Sequence, residues 1–429
     1  MQEKTDIRLK TSILSSDFLP KTIFEFQEVA DKKSLVRIEL DYRYLNDLPF
    51  PLSTTSVKSA AIIRWLRLLL NTFKAQIDVA KLIAGGRKAT LPNSIKTNVT
   101  KIKIPRIPSL KLDGMVYNDT DGLINSEWIE YPDTDSSERV ILYIHGGAYV
   151  LASRRTHRGI TWRLAKNAEA KILAVDYRLA PQHVFPAALI DVLSGYQYLL
   201  QKYKPHQISF VGDSAGGALA AAAMIYCRDT GDLPLPGAMD LTQSLPAWHL
   251  NKPYCYLPKG TPDKKYISNS RSNLYVSHDK DLINPYASPI FAEQSQVPFP
   301  PMMIQVGDAE RVRDDGIFFK KLFANENIKL ELYEHGVHVF QLFAAFEEFG
   351  RESLSRLGDF LKKYTGNDPS TKYENSAVMV RNREGFPEEQ VPDYGEIIQD
   401  GMDILVQKGV WKHELLLDGT RVVSLANQE

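Results

Sequence analysis

The sequence predicts an α/β protein with a mostly parallel central sheet, helices on both faces of that sheet, and an N-terminal helical cap. Two observations carry this. From about Asp121 onward, short apolar, β-branched runs at 140–144, 172–175, 208–211 and 302–306 are each followed by a helical stretch. These runs are apolar throughout rather than alternating with polar residues, as strands buried on both faces require. A strand–helix–strand alternation of this kind builds parallel sheets, because parallel neighbours need a crossover.

The helical stretches fall at 156–167, 187–203, 215–226 and 314–325, with a last strand at 329–333 and a closing helix at 340–364. On that last helix Phe343, Leu354, Leu357 and Leu361 share one face, the stripe expected of a helix packed on a core. The α/β region is therefore placed at 121–365, between an N-terminal region at 1–120 and an extension at 366–429. At 429 residues with 44% hydrophobic content, the chain can bury one large core and still carry appendages.

The N-terminal region shows one clear element, a helix over 57–84 that ends at Gly85-Gly86. Ile62, Leu66, Leu69, Phe73, Ile77 and Ala80 lie on one side, and Arg64, Arg67, Asn71, Lys74, Asp78 and Lys81 on the other. It reads as a cap over the site; a lipid-surface helix is the alternative, given Trp65 and the basic stripe. After Gly366 the chain turns polar and Pro/Glu-rich through Tyr394, then a hairpin is expected around Asp418-Gly419. Lys+Arg and Asp+Glu both number 52, so no overall field draws the molecule to nucleic acid. Cys227 and Cys255 are too few for a disulfide framework. No leader pattern and no run of roughly 18 apolar residues is present. A soluble cytoplasmic protein is expected, with peripheral membrane contact through the 57–84 helix as the open alternative.

Chemistry enters at Gly212-Asp213-Ser214-Ala215-Gly216, which follows the apolar run 208–211 and precedes Ala218-Leu219-Ala220-Ala221-Ala222. A Gly-x-Ser-x-Gly in a strand–turn–helix setting is a nucleophile elbow, its small residues letting strand and helix approach around a strained serine. Ser214 then sits at a helix N-terminus, where amides and dipole favour developing negative charge. Upstream, His145-Gly146-Gly147-Ala148 follows a strand. Consecutive glycines let N–H groups face a cavity, so Gly146 and Gly147, with Ala215, are the candidate oxyanion hole. His145 is read as a loop brace rather than a base.

These two motifs in this order resemble the hormone-sensitive-lipase family of α/β hydrolases. The likeness extends to Asp176-Tyr177-Arg178-Leu179-Ala180-Pro181 and Phe185-Pro186-Ala187-Ala188, and is greatest for fungal members similar to steryl acetyl hydrolases. It implies the α/β-hydrolase fold over about 121–364 and a structural role for Asp176. It also implies the chain order nucleophile, acid, histidine. Of the nine histidines, His338 fits the base, lying between the last strand and the closing helix in a His-x-Phe; His335 is the alternative. The family's acid-x-Leu-x-Asp pattern, set on Arg313-Asp314, selects Glu310, with Asp308 as the competing acid. The implied activity is hydrolysis of carboxylic esters, with short or medium acyl or acetyl groups on hydrophobic alcohols and no cofactor or metal. The partner is a small-molecule ester; oligomeric state is left open.

One element of the pattern is missing. The resemblance implies an apolar strand ending in Ser-Pro-Trp ahead of Asp-Leu-Thr, whereas Pro236-Gly237-Ala238-Met239 leads straight into Asp240-Leu241-Thr242. Nothing after it substitutes, since 254–257 is boxed by Pro253 and Pro258. An internal strand of the sheet is therefore expected to be absent, with low stability and weak activity. A catalytically impaired variant, or a small-molecule-binding protein on the same fold, is the alternative to an esterase.

Overall fold

The computed structural model describes residues 94–242 and 275–391, apart from single residues and short stretches within them, and two strands before them. The chain divides into two units, Met1–Ser53 and Thr54–Glu429. In the first, β1 (Thr22–Phe26) and β2 (Val36–Leu40) pair antiparallel, with Thr22 opposite Leu40. The expected helix at 57–84, the 254–257 segment, Cys255 and the hairpin near Asp418 lie outside the described residues.

In the second unit β3 (Asn98–Pro105) is followed by a small hairpin of β4 (Ser109–Leu112) and β5 (Met115–Asn118). Then come β6 (Leu123–Glu130), β7 (Val140–Ile144), α1 (Arg158–Asn167), β8 (Lys171–Val175) and α2 (Ala187–Leu200). Next are β9 (Ile208–Asp213), α3 (Ala215–Thr230), β10 (Ala238–Thr242), β11 (Met302–Gly307) and α4 (Arg313–Leu322). The described part closes with β12 (Ile328–Tyr333), α5 (Glu348–Tyr364), β13 (Ser376–Val380) and β14 (Glu388–Gln390).

Ten strands form one sheet in the order β14-β13-β12-β11-β10-β9-β7-β8-β6-β3. The run from β13 to β8 is parallel throughout, and β14, β6 and β3 pair antiparallel at the two edges. Alternate side chains of the apolar strands feed two cores. Leu142, Phe210, Ile304 and Leu330 pack under α2, α3 and α4. Ile141, Tyr143, Ile172 and Val211 pack under α1 and α5. Full burial of a Leu or Ile of this kind is worth about 1.5–3 kcal/mol, and helices on both faces are what the uniformly apolar strands require.

The expectation of a missing internal strand is overturned. β10 fills that place, pairing parallel with β9 (Asp240 opposite Val211) and with β11 (Asp240 opposite Met303). Its start is pinned by Gly237 N–H to the Ile208 carbonyl (2.8 Å) and Met239 N–H to the Pro301 carbonyl (2.9 Å). Ala238 packs in one core and Met239 in the other, and Asp240 is fully buried. β-propensity is weak here, and context decides. Leaving the facing edges of β9 and β11 unpaired costs about 1–3 kcal/mol per buried group, which outweighs an aspartate in a strand.

Three further expectations are corrected. The N-terminal region contributes an edge strand, β3, so the sheet begins before residue 121. The extension after Gly366 is not merely an appendage, because β13 and β14 complete the other edge. The closing helix is broken: a short 3-10 turn spans Phe340–Phe343 and the α-helix starts only at Glu348.

Candidate active site

Ser214 follows directly on β9 and caps the N-terminus of α3 with φ 53° and ψ −123°. This left-handed backbone, costly for a residue with a Cβ, lifts the hydroxyl out of the sheet. It is possible because Gly212 and Gly216 bring strand and helix together: a Cβ on Gly212 would strike the Gly216 carbonyl, and one on Gly216 the carbonyl of Ile144.

His338 and Glu310 arrive from loops at the C-terminal ends of β12 and β11. His338 Nε2 lies 2.9 Å from Ser214 Oγ, and Nδ1 lies 2.6 Å from Glu310 Oε2. With Nδ1–H donating to the carboxylate, Nε2 is left to accept the serine proton. The other Glu310 oxygen accepts the Gly307 N–H at 2.8 Å. The Glu310 side chain is sealed (0% exposed) while that of His338 keeps 39% of its surface open, so the relay opens on its serine–histidine side. Burial pushes the Glu310 carboxyl up, against the pull of His338 and the Gly307 amide. At His338 burial disfavours the imidazolium, but the hydrogen bond and charge of Glu310, with help from Asp213 and Asp315, outweigh it. His338 therefore titrates above the ordinary histidine value.

The other candidates fall elsewhere. Asp308 Oδ1 accepts the backbone N–H of His335 at 2.6 Å, so Asp308 braces the histidine loop rather than the His338 ring. His335 itself sits at φ 58° in that loop. Asp176 accepts the Arg154 N–H at 2.7 Å and pairs with the Arg154 guanidinium. His145 is buried and pushed down to about 3, chiefly by burial and then by His157. As a neutral ring it donates from Nδ1 to the Gly146 carbonyl (2.7 Å) and stacks on Tyr177 at 4.3 Å.

The expected oxyanion donor Gly146 needs correction, because its N–H already donates to Asp213 Oδ1 at 3.1 Å. The chain then turns through Gly147 (φ 121°), Ala148 (52°) and Tyr149 (64°). Consecutive residues of this kind can aim successive N–H groups at one anion. Sequence reasoning missed the group that holds this loop. Asp213 also accepts from the Tyr143 hydroxyl (2.6 Å) and from His157 Nε2 (3.1 Å). Burial opposes charge on both partners, yet Asp213 is held below the carboxylate range and His157 above the histidine range. The pair is ionic. The available signal was Asp213 itself, a carboxylate closing an apolar strand.

Among the described residues no helix is long and apolar enough to cross a membrane, and no group of metal-ligating side chains is gathered. Residues 141–342 match the model of an alpha/beta hydrolase fold family. An acetyl-hydrolase of Streptomyces hygroscopicus is 32% identical over 58% of this chain and 82% of its own length. A carboxylesterase/phospholipase of Mycobacterium tuberculosis is 28% identical over 57% of this chain and 68% of its own. Among solved structures, an esterase/lipase from an uncultured bacterium superposes with a TM-score of 0.58 at 26% identity, covering 72% of this chain and 99% of that one. An esterase from the bacterial hormone-sensitive lipase family superposes at 0.53 with 29% identity, over 67% and 89%. The chain belongs to the hormone-sensitive-lipase type of α/β hydrolases and is a carboxylic ester hydrolase.

Proposed function

We propose that the enzyme cleaves small carboxylic esters through a Ser214–His338–Glu310 triad. The observation that carries this is the continuous relay Glu310–His338–Ser214, at 2.6 and 2.9 Å. His338 takes the proton of Ser214 as Oγ attacks the ester carbonyl, and Glu310 holds the ring and steadies the imidazolium. The N–H groups of Gly147, Ala148 and Ala215 receive the oxyanion, at the turn of the loop and the first residue of α3. His338 then protonates the leaving alcohol, and water repeats the cycle on the acyl-enzyme.

The preferred substrate is an acetyl or short- to medium-chain ester of a hydrophobic alcohol. The name of the Streptomyces relative, acetyl-hydrolase, supports the short acyl group. Tyr149, at the end of the oxyanion turn, stacks on Tyr275 at 3.8 Å, and Phe185 meets Tyr275 edge-on at 6.0 Å. These rings are sealed in the core (Tyr149 and Tyr275 each 1% exposed), so they brace the turn from behind rather than line a pocket. The test is turnover of p-nitrophenyl esters from acetate to laurate by the purified protein and by Ser214→Ala. Activity falling with chain length, and abolished by the substitution, is expected; turnover retained in Ser214→Ala overturns the reading.

A further inference from the structure

The loop Glu334–Phe340 carries His338 under strain. His335 (φ 58°) and Val339 (φ 49°) both sit in the left-handed region, and Val339 is β-branched. Such residues persist only where their surroundings over-determine them. Asp308 holds one point, the N–H of His335.

The loop's own turns hold others, through Gly336 N–H to the Tyr333 carbonyl and Phe340 N–H to the Val337 carbonyl, and a further set comes from the C-terminal extension. β13 continues the ladder one residue past β12, so that the Glu334 N–H donates to the Val380 carbonyl at 3.0 Å. Both oxygens of the Glu334 side chain are then occupied from the same segment: Oε1 by Arg381 Nη1 at 2.9 Å and Oε2 by the Asn382 N–H at 3.0 Å. Arg381 is itself fixed by Glu389 of β14, through Nε at 2.8 Å, and its N–H donates to the Pro387 carbonyl at 3.0 Å. Beyond these polar contacts, Phe386 stacks on Phe349 at 5.9 Å, with Arg356 of α5 donating to the Phe386 carbonyl at 3.0 Å. Phe349 packs on Tyr333 and Phe340, both at ring distances near 5 Å (4.9 and 5.4 Å), and these two aromatics flank the histidine loop on either side.

We propose that residues 376–391 position the catalytic histidine, with Glu334–Arg381 as the positioning pair that sets where the His338 ring stands against Ser214. The proposal rests on the reading of His338 as base. The pair touches neither substrate nor reacting atoms, and its side chains are 14% and 29% exposed. The pair is largely covered and multiply bonded, so positioning is read from a kcat loss measured where every variant is folded, not from the melt. A misplaced base slows the chemical step without weakening ground-state binding, since displacement by an ångström already costs orders of magnitude.

The experiment compares the full-length enzyme with Arg381→Ala, Glu334→Gln, the double variant and Arg381→Lys, each first checked by thermal melting and assayed well below its transition. The expected result is a fall in kcat of roughly 10-fold for either single variant, with KM nearly unchanged. The double variant should be no worse than the worse single one, because both break one link, and Arg381→Lys should recover most of the loss. Kcat unchanged in both single variants, or losses that multiply in the double variant, overturns the proposal even if the melts shift. Ser214→Ala runs alongside. If it is inactive while Arg381→Ala matches the parent, the brace alone fails; if it turns over ester, the triad fails and the brace with it.

Discussion

Asp213 and Gly146 are joined by a 3.1 Å hydrogen bond from the glycine N–H to the aspartate carboxylate. The bond ties the residue before Ser214 to the first residue of the Gly146–Tyr149 turn, two segments far apart in sequence. It fixes the base of the loop against the strand that leads into Ser214. Because the same carboxylate accepts from Tyr143 and His157, a single buried charge registers nucleophile, loop and the start of α1.

Asp213→Asn keeps the size of the side chain and one acceptor but removes that charge. We expect kcat to fall by about 10- to 100-fold, in the range seen when an oxyanion donor is lost, with KM less affected. Steady-state kinetics on a p-nitrophenyl ester measure it, and a kcat within a factor of about two of the parent would show that the loop holds its place unaided.

The Asp213–His157 pair also predicts a pH dependence of stability. His157 titrates above its ordinary 6.5 in the fold and Asp213 below its ordinary 3.8. A raised histidine contributes stability that is full below 6.5 and is lost as pH rises through its folded value. A depressed aspartate contributes above 3.8 and loses it as pH falls through its folded value. The pair thus helps most between those limits and fades on the alkaline side. Melting temperatures of the parent should decline more steeply from pH 6 to 9 than those of His157→Gln; parallel curves refute the ionic pair.

Glu310 and Asp308 divide their duties sharply. Glu310→Gln should reduce kcat by about 10³- to 10⁴-fold, as when a triad carboxylate loses its charge and the imidazole its tautomer. Asp308→Asn retains an oxygen for the His335 N–H and should cost only a few-fold. The reverse ranking in the same assay would return the acid to Asp308.

The raised His338 sets the acid limb of the rate profile. The base must be neutral to take the serine proton, so kcat/KM should fall as pH drops through the folded value, with a midpoint above 6.5. In Glu310→Gln the midpoint should move downward, since the group that lifts it is gone. A limb below 6.5 in the parent, or one unmoved by the substitution, contradicts the assignment.

Strand β10 is tested through Met239, fully buried in the core beneath α3. Met239→Ala should lower unfolding free energy by about 2–5 kcal/mol if the strand is internal, against roughly 0.5 kcal/mol for a surface loop. Chemical denaturation decides between them.

The motifs were readable because each is dictated locally. Gly212 and Gly216 can be nothing larger at the elbow, and runs such as Val140–Ile144 have no other home than a sheet covered on both faces. The order of serine, acid and histidine came with the family resemblance and not from any one motif. What escaped depended on partners remote in the chain. Ala238–Thr242 carries an aspartate and no β-branched run, and becomes a strand only because β9 and β11 stand open on either side. Gly146 looked like an oxyanion donor until its N–H met Asp213, 67 residues away. Ser376–Val380 reads as part of a polar tail, and becomes a strand because its backbone meets the open edge of β12, which buries Met379 and Val380.

The strand order has a bearing on how activity is acquired during folding. Ser214 and His338 are 124 residues apart in the chain, and β10 and β11 lie between β9 and β12 in the sheet. Parallel pairings of such separation raise contact order and slow folding, since loop-closure entropy must be met before the contacts reward it. The elbow is a local structure, but a base reaches it only once the C-terminal half of the sheet has zipped across. On the proposed triad, a nascent chain that has emerged only as far as α3 holds the elbow serine without the histidine that would activate it.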